Sequence, residues 1–303
     1  GLFDFTQGVY DLYFIFGKQY FIVMEVFDSI ATRKQNRTEY QKGKIQDTMT
    51  ARISQSQIQF IRSLHRTKYR QKLQKFIIEG DKICSERLQY RDVEIEGIYA
   101  LKSWLDLHHD SLEGIQCTEV SPDQLLKIST LKTPNQVLGV CRKPMESRDF
   151  NHFKNNLCFY LDAIQDPGNM GTILRTLDWF GFRTLYLSPG CVDVYNPKVV
   201  QGSMGSLFNV HIIERPLQEL TGNADEITTP VMGTGLEGEN VFQFTFPGNG
   251  LLVIGNEGKG ISPGIQPYIR QSLTIPATKK ATAESLNAAV ACGILAALAA
   301  AQR

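Results

Sequence analysis

The stretch Leu161–Gly181, LDAIQDPGNMGTILRTLDWFG, places an amide, Asn169, at the start of an expected helix and a guanidinium, Arg175, within it. An amide offers a donor and an acceptor, and a guanidinium is a planar, permanently charged fork of donors. Asp166-Pro167-Gly168-Asn169 makes a turn and a helix cap. Ile173, Leu174, Leu177 and Phe180 share one face, so at about 100° per residue Arg175 projects from the opposite side. A lone arginine there reads first as a solvent-exposed surface residue. It gains interest because Asn169 and Arg175 flank the carboxyl end of an expected buried strand. A second stretch, LLVIGNEGKGIS from Leu251, empties an apolar run into Gly255, Asn256, Glu257, Gly258, Lys259 and Gly260. The order G-x-x-G-x-G is not the dinucleotide fingerprint, and no Walker lysine–serine pair follows. The loop reads first as a tight turn in an ordinary α/β domain and second as a ligand loop.

A third candidate is a charge run. From Ala51 to Ile78 there is no acidic residue, while Arg62, Arg66, Lys68 and Arg70 accumulate beside His65 and Tyr69. Such a run is either a solvated helix face or a phosphate-contacting surface. The formal net charge is +1, so no global argument for nucleic acid is available. The 6 cysteines are scattered without a C-x-x-C pair, and the 5 histidines lack metal-ligand spacing. That points to reduced core thiols in a cytoplasmic protein and away from a metal centre.

Positioning these residues takes an α/β scaffold. From Leu157, strands are expected at Leu157–Leu161, Thr184–Leu187, Val210–Ile213, Val231–Gly233, Leu251–Ile254 and Leu273–Ile275. Helices are expected at Met170–Phe180, Pro197–Ser206, Leu217–Thr221, Pro263–Gln271 and Ser285–Ala301. Ser285 can cap the last of these, with Leu286, Ala289, Val290, Ile294, Leu295 and Leu298 as its apolar stripe. The alternation describes a parallel sheet with helices on both faces, which binds ligands outside the carboxyl ends of its strands. Before it, strands at Lys75–Glu79, Ile95–Ala100, Ile115–Val120 and Val137–Val140 and helices at Lys82–Leu88, Leu101–His108 and Pro122–Lys127 describe a smaller α/β domain. The expected division is an extension at 1–48, the small domain at 49–145, a linker at 146–156 and the larger domain at 157–303. The folded region is expected to start at Met49, with the preceding residues taking no part in chemistry. Val9–Phe27 is aromatic-rich but interrupted by Asp11, Gly17, Lys18 and Glu25, which makes a poor membrane span.

Three motifs then occur in order. They are N-x-G-x-x-x-R at Asn169, Gly171 and Arg175; V-I-G-N-E-G-x-G-I from Val253 to Ile261; and I-P at Ile275 and Pro276 followed by S-L-N at Ser285, Leu286 and Asn287. With these, the chain from Leu157 onward resembles the SpoU/TrmH family of S-adenosylmethionine-dependent RNA ribose 2′-O-methyltransferases, within the SPOUT class. F-I-I-E-G-D-K, Phe76 to Lys82, resembles that family's small RNA-binding domain. One departure is Ala277–Ala283, longer than the family's usual stretch between I-P and S-L-N and lacking its glycine.

The resemblance implies a deep trefoil knot holding the cofactor, although the general rule against threaded connections argues the other way. It implies S-adenosylmethionine contacts from Thr234, Gly235, Gly255, Glu257, Ile275, Pro276, Ser285, Leu286 and Asn287. It implies methyl transfer to a ribose hydroxyl of structured RNA, ribosomal or transfer. Arg175 would be the catalytic arginine, Asn169 would orient the site, and Glu257 or a phosphate oxygen would receive the proton. A guanidinium stays protonated, so Arg175 is better suited to holding a phosphate and stabilising an alkoxide than to acting as base. Arg62, Arg66, Lys68 and Arg70 would contact RNA, and the protein would be a homodimer with no membrane or metal partner. The competing class is a non-catalytic RNA-binding protein that kept the fold. A third class, an enzyme using a nucleotide or dinucleotide cofactor, is disfavoured by the missing phosphate fingerprint.

Overall fold

The computed structural model describes residues 53–145 and 149–303; the expected extension at 1–48 lies outside them, as do 146–148 of the expected linker. Helix α1 (Gln55–Ser63) starts at a capping box. Ser54 Oγ accepts the Gln57 N–H at 3.2 Å while Gln57 Oε1 accepts the Ser54 N–H at 2.8 Å. There follow α2 (Thr67–Leu73), β1 (Lys75–Glu79), α3 (Asp81–Tyr90), β2 (Ile95–Ala100), α4 (Lys102–His108), β3 (Gln116–Glu119), α5 (Pro122–Ile128) and β4 (Val137–Arg142). The sheet order is β1-β4-β2-β3, with β4 antiparallel to both neighbours and β2 parallel to β3. Ile58, Ile61 and Leu64 bury against Ile77, Leu138 and Val140. The buried Glu79 carboxylate is satisfied by the Thr130 N–H at 3.0 Å and by the Ser129 and Thr130 hydroxyls.

The second region runs β5 (Leu157–Leu161), α6 (Pro167–Trp179), β6 (Thr184–Leu187), α7 (Pro197–Ser203), β7 (His211–Glu214), α8 (Leu217–Thr221), β8 (Val231–Gly235), β9 (Glu239–Asn240), β10 (Gly250–Ile254), β11 (Gln271–Thr274) and α9 (Ala288–Ala300). Its sheet order is β7-β6-β5-β10-β8-β11-β9, and each of these pairings is parallel. Every residue of β5 and β10 is buried, which is why both are continuous apolar runs. These neighbours feed connections in opposite directions, β5 toward β6 and β10 toward β11. An open α/β sheet binds its ligand where the strand order reverses in this way.

Several boundaries differ from expectation. The helix expected at Pro263–Gln271 is a single 3-10 turn, Gln266–Tyr268. Pro267 cannot donate to a helix, and Ile265 and Tyr268 turn into the core. The last strand begins earlier, at Gln271, because Ile269 must extend into the space left beside Gly233, where an added Cβ would meet its Cδ1 at 2.9 Å. The helix expected to reach Ser206 ends at Ser203, where Met204 takes a left-handed φ of 51°. The C-terminal helix starts at Ala288, and its cap is Asn287, not Ser285. Its buried face also differs: Ala288, Ala289, Cys292, Leu295, Ala296 and Ala299 are buried, whereas Leu286 and Val290 are exposed. These small residues let α9 lie close on α6, so that a Cβ on Gly293 would stand 3.9 Å from Thr176 Cγ2.

Candidate active site

Asp166 starts α6 by accepting the Asn169 N–H at 2.8 Å, with Pro167 in the first turn, where its missing N–H costs nothing. The motif glycine, Gly171, has a packing role that the sequence did not disclose. A Cβ there would lie 2.9 Å from the Gly202 carbonyl carbon, so α6 and α7 cross backbone on backbone. Arg175 is exposed and has no hydrogen-bond or ion-pair partner among the described residues.

The loop after β10 closes on itself. A Cβ on Gly255 would stand 2.4 Å from the Gly260 carbonyl carbon, and Gly260 has φ +67°. Asn256 and Gly260 exchange backbone hydrogen bonds at 3.0 and 2.8 Å. The Asn256 amide accepts from the Gly258 N–H at 3.0 Å and donates to the Ala163 carbonyl at 2.9 Å. Buried Asp162, at the end of β5, accepts the Ser262 N–H at 2.6 Å. The loop is thereby pinned to the neighbouring strand, with Glu257 at its outer turn.

Three expected site residues meet there. Asn287 Oδ1 accepts the Ala289 and Val290 N–H groups at 2.9 and 3.3 Å, and this cap fixes which way its amide points. Its Nδ2 then donates to Asn169 Oδ1 and Glu257 Oε1, each at 2.9 Å. Asn169 Nδ2 donates to the same Glu257 oxygen, which also accepts the Ala288 N–H at 3.1 Å. One carboxylate oxygen thus collects donors from α6 and α9 at the amino end of α9, where negative charge is favoured.

Beside this network a pocket of about 360 Å³ opens at the carboxyl ends of β8, β10 and β11. Of the expected contacts, Thr234, Gly235, Gly255, Glu257, Ile275, Ser285 and Leu286 line it. Pro276 and Asn287 do not; Asn287 reaches the wall only through Glu257. Leu236, Val241, Leu273, Leu295 and Lys259 are walls that the sequence reading missed. Leu273 and Leu295 were legible as apolar positions, but nothing in the sequence said that they border a void. Leu236 is 77% exposed and Leu286 45%, so apolar surface stands open at the mouth. The volume falls within the roughly 300–1,000 Å³ of small-molecule sites. Apolar walls with one carboxylate and one ammonium suit a ligand that has an apolar ring and carries both charges, and S-adenosylmethionine has that chemistry.

The basic run divides. Arg62, Arg66 and Lys68 are exposed. Arg70, expected to contact RNA, is completely buried: Nε donates to Asp193 Oδ2 at 2.8 Å, Nη1 to the Leu64 carbonyl at 2.9 Å and Nη2 to Thr67 Oγ1 at 2.9 Å. Its fork is taken up by protein and cannot reach a phosphate. Burial pushes the Cys117 thiol up to about 11 and that of Cys158 up to about 12, which leaves both unreactive. Among the described residues no group of His, Cys, Asp and Glu could hold a metal, and no helix is long and apolar enough to cross a membrane.

Comparison with known proteins gives a concordant picture. The SpoU rRNA Methylase family matches residues 156–297, and the MRM3-like substrate binding domain matches residues 55–139. The 23S rRNA (guanosine(2553)-2′-O)-methyltransferase of Bacillus subtilis (strain 168) is 31% identical over 235 residues, 77% of this chain and 92% of that protein. A TrmH-family structure from Porphyromonas gingivalis superposes with a TM-score of 0.72 at 35% identity, covering 82% of this chain and 98% of that one. The SpoU methyltransferase AviRb from Streptomyces viridochromogenes, solved with AdoMet, gives a TM-score of 0.71 at 25% identity, with 82% and 98% covered.

Proposed function

This chain belongs to the SpoU rRNA methylase family, and from that membership and the geometry of its site we propose that it methylates a ribose 2′-hydroxyl of ribosomal RNA. It is an S-adenosylmethionine-dependent RNA 2′-O-methyltransferase; the bound sulfonium supplies an activated methyl group. The observation that carries this reading is the double position of Glu257, which lines the pocket while its Oε1 gathers the donors of Asn169, Asn287 and Ala288.

The chain's own task is alignment and handling of the proton. Thr234, Gly235, Gly255, Ile275, Ser285 and Leu286 would hold the cofactor, with Pro276 flanking. Asn169, fixed between Asn287 and Glu257, orients the reacting end. Arg175, a guanidinium without a proton to give up easily or a site to accept one, holds the phosphate beside the target ribose and stabilises the developing alkoxide. Glu257 has one oxygen committed to protein donors, which leaves Oε2 or an RNA phosphate oxygen to receive the hydroxyl proton.

Exposed Arg62, Arg66 and Lys68 are assigned to RNA phosphates. Residues 49–145 would form the small RNA-binding domain, 146–156 the linker and 157–303 the methyltransferase domain. A deep trefoil knot in the latter is supported by the insertion of β10 between β5 and β8. A homodimer is supported by Trp179 on α6 and Val290 on α9, 84% and 50% exposed on helices that pack together. Free cysteines, five of them buried, fit a reducing compartment such as the cytoplasm.

The test is incubation with methyl-labelled S-adenosylmethionine and unmodified 23S rRNA, followed by mapping of the label. Transfer to one ribose 2′-oxygen is expected. Cofactor binding by calorimetry without any transfer would overturn the enzymatic reading and leave an RNA-binding protein.

A further inference from the structure

A second, smaller cavity lies between α3 and α7, lined by Glu79, Gly80, Lys82, Asn135, Gln201 and Met204, with a volume of about 140 Å³. That is well below the roughly 300 Å³ at which cofactor-sized sites begin. The space is of the size of one planar ring system.

The chemistry of the walls narrows the choice. Glu79 is buried and held by Ser129 and Thr130, whereas Asp81, which also lines the cavity, is exposed and accepts from the Trp104 Nε1–H at 2.7 Å and the Ser85 hydroxyl at 3.0 Å. The amides of Asn135 and Gln201 are exposed and have no side-chain hydrogen bond among the described residues. They come from opposite walls, one in the stretch matched as a substrate binding domain and one in the methylase stretch. Gly80 keeps the space open. It sits at φ +104°, and a Cβ there would stand 3.8 Å from Asn135 Nδ2. Met204, held in the left-handed conformation and 47% exposed, supplies an apolar, polarisable face.

Helix α7, which walls the cavity, packs on α6 one helical turn from Arg175. Gln201 adjoins Gly202, whose added Cβ would stand 3.5 Å from Gly171 Cα. Gly171 and Arg175 are one helical turn apart on the same face. An RNA held by a phosphate at Arg175 would reach this opening across α7. Resting on the methyltransferase reading, we propose that the cavity takes one unpaired base of the RNA substrate near the methylated ribose, with Asn135 and Gln201 reading its edge and Met204 against its face. Amide side chains offer the donor–acceptor pair that base edges require.

The experiment crosses side-chain loss with base loss. Once wild-type protein has located the methylated ribose in 23S rRNA, synthetic fragments are made with an abasic ribose at each unpaired flanking position. At one position base loss should raise the wild-type KM for RNA about tenfold, the size of one stacked or bidentate base contact. Asn135→Ala with Gln201→Ala should raise KM about as much on the intact fragment and add nothing on that abasic one. Cofactor affinity and melting temperature should not move, because both side chains are exposed. Additive effects at every position, an unchanged KM or a lowered melting temperature would each overturn the inference. Failure of the wild type to methylate rRNA at all would instead defeat the parent reading.

Discussion

Arg70 and Arg175 are both expected from the sequence to meet RNA, and the fold makes them opposites. Arg70 is completely buried, with its fork on Asp193, Leu64 and Thr67. Arg175 is exposed, with no partner among the described residues. The first joins parts of the protein that are 123 positions apart in sequence. Asp193 extends the joint, since its Oδ1 accepts the Tyr195 N–H at 3.0 Å and the Tyr195 ring lies 4.7 Å from Phe76 of β1. A guanidinium already saturated by protein is structure. One held out without a partner among the described residues is available to a ligand.

The sharpest way to break this comparison is to remove the charge partner of Arg70. Asp193→Asn should cost about 3–5 kcal/mol of stability, because it strands a buried guanidinium. A denaturant midpoint within error of the wild type would show that the pair is not a structural joint. Arg175→Ala should do the reverse. It should lower single-turnover methyl transfer about 10²–10³-fold, as loss of one transition-state donor does, while the melting temperature and calorimetric cofactor affinity hold. Near-normal transfer would remove Arg175 from the chemistry, and lost cofactor binding would move it into the pocket.

What the sequence made legible follows the same division. The apolar runs of β5 and β10 and the Asp166 cap were readable because each is decided by neighbours in the chain. So was the loop at Gly255, whose glycines serve its own closure. Arg70 was unreadable because its fate depends on Asp193, which nothing local announces. The cap of α9 was ambiguous for a different reason. Ser285 and Asn287 are both good cap residues, and Asn287 prevails because its amide can also join Asn169 and Glu257. The helix expected at Pro263–Gln271 failed because core positions at Ile265 and Tyr268 outweighed a weak helical period.

Asn287 supplies a smaller, intermediate effect, since it is both structure and site. Asn287→Ala should cost about 1 kcal/mol for the lost cap. It should also weaken transfer, because Asn169 and Glu257 lose the amide that holds them in register. Asn287→Ser restores a cap oxygen but not the Nδ2 donor. It should therefore recover stability and leave transfer impaired. If both properties return together, the residue acts only as a cap.

The smallest effect is electrostatic and reads the buried arginine directly. His65 lies at the turn between α1 and α2, with Nε2 3.0 Å from the Ile128 carbonyl. Burial holds its pKa below the ordinary 6.5, with the charges of Arg62 and Arg70 pushing the same way and the Ile128 contact and Glu79 opposing. A histidine kept neutral by folding adds stability that is complete above pH 6.5 and declines as the pH falls below that, where the unfolded chain takes up the proton first. Replacing the pair by Arg70→Met with Asp193→Asn removes the cation yet keeps an amide oxygen for the Tyr195 N–H. The His65 pKa should then rise slightly toward 6.5, and the acid-side loss of stability should shrink. Arg175→Ala should leave the His65 titration where it was. Ring-proton NMR titration of the three proteins decides the matter. A His65 that responds equally to both changes, or to neither, would mean that the Arg70 charge is not felt inside the fold as its burial requires.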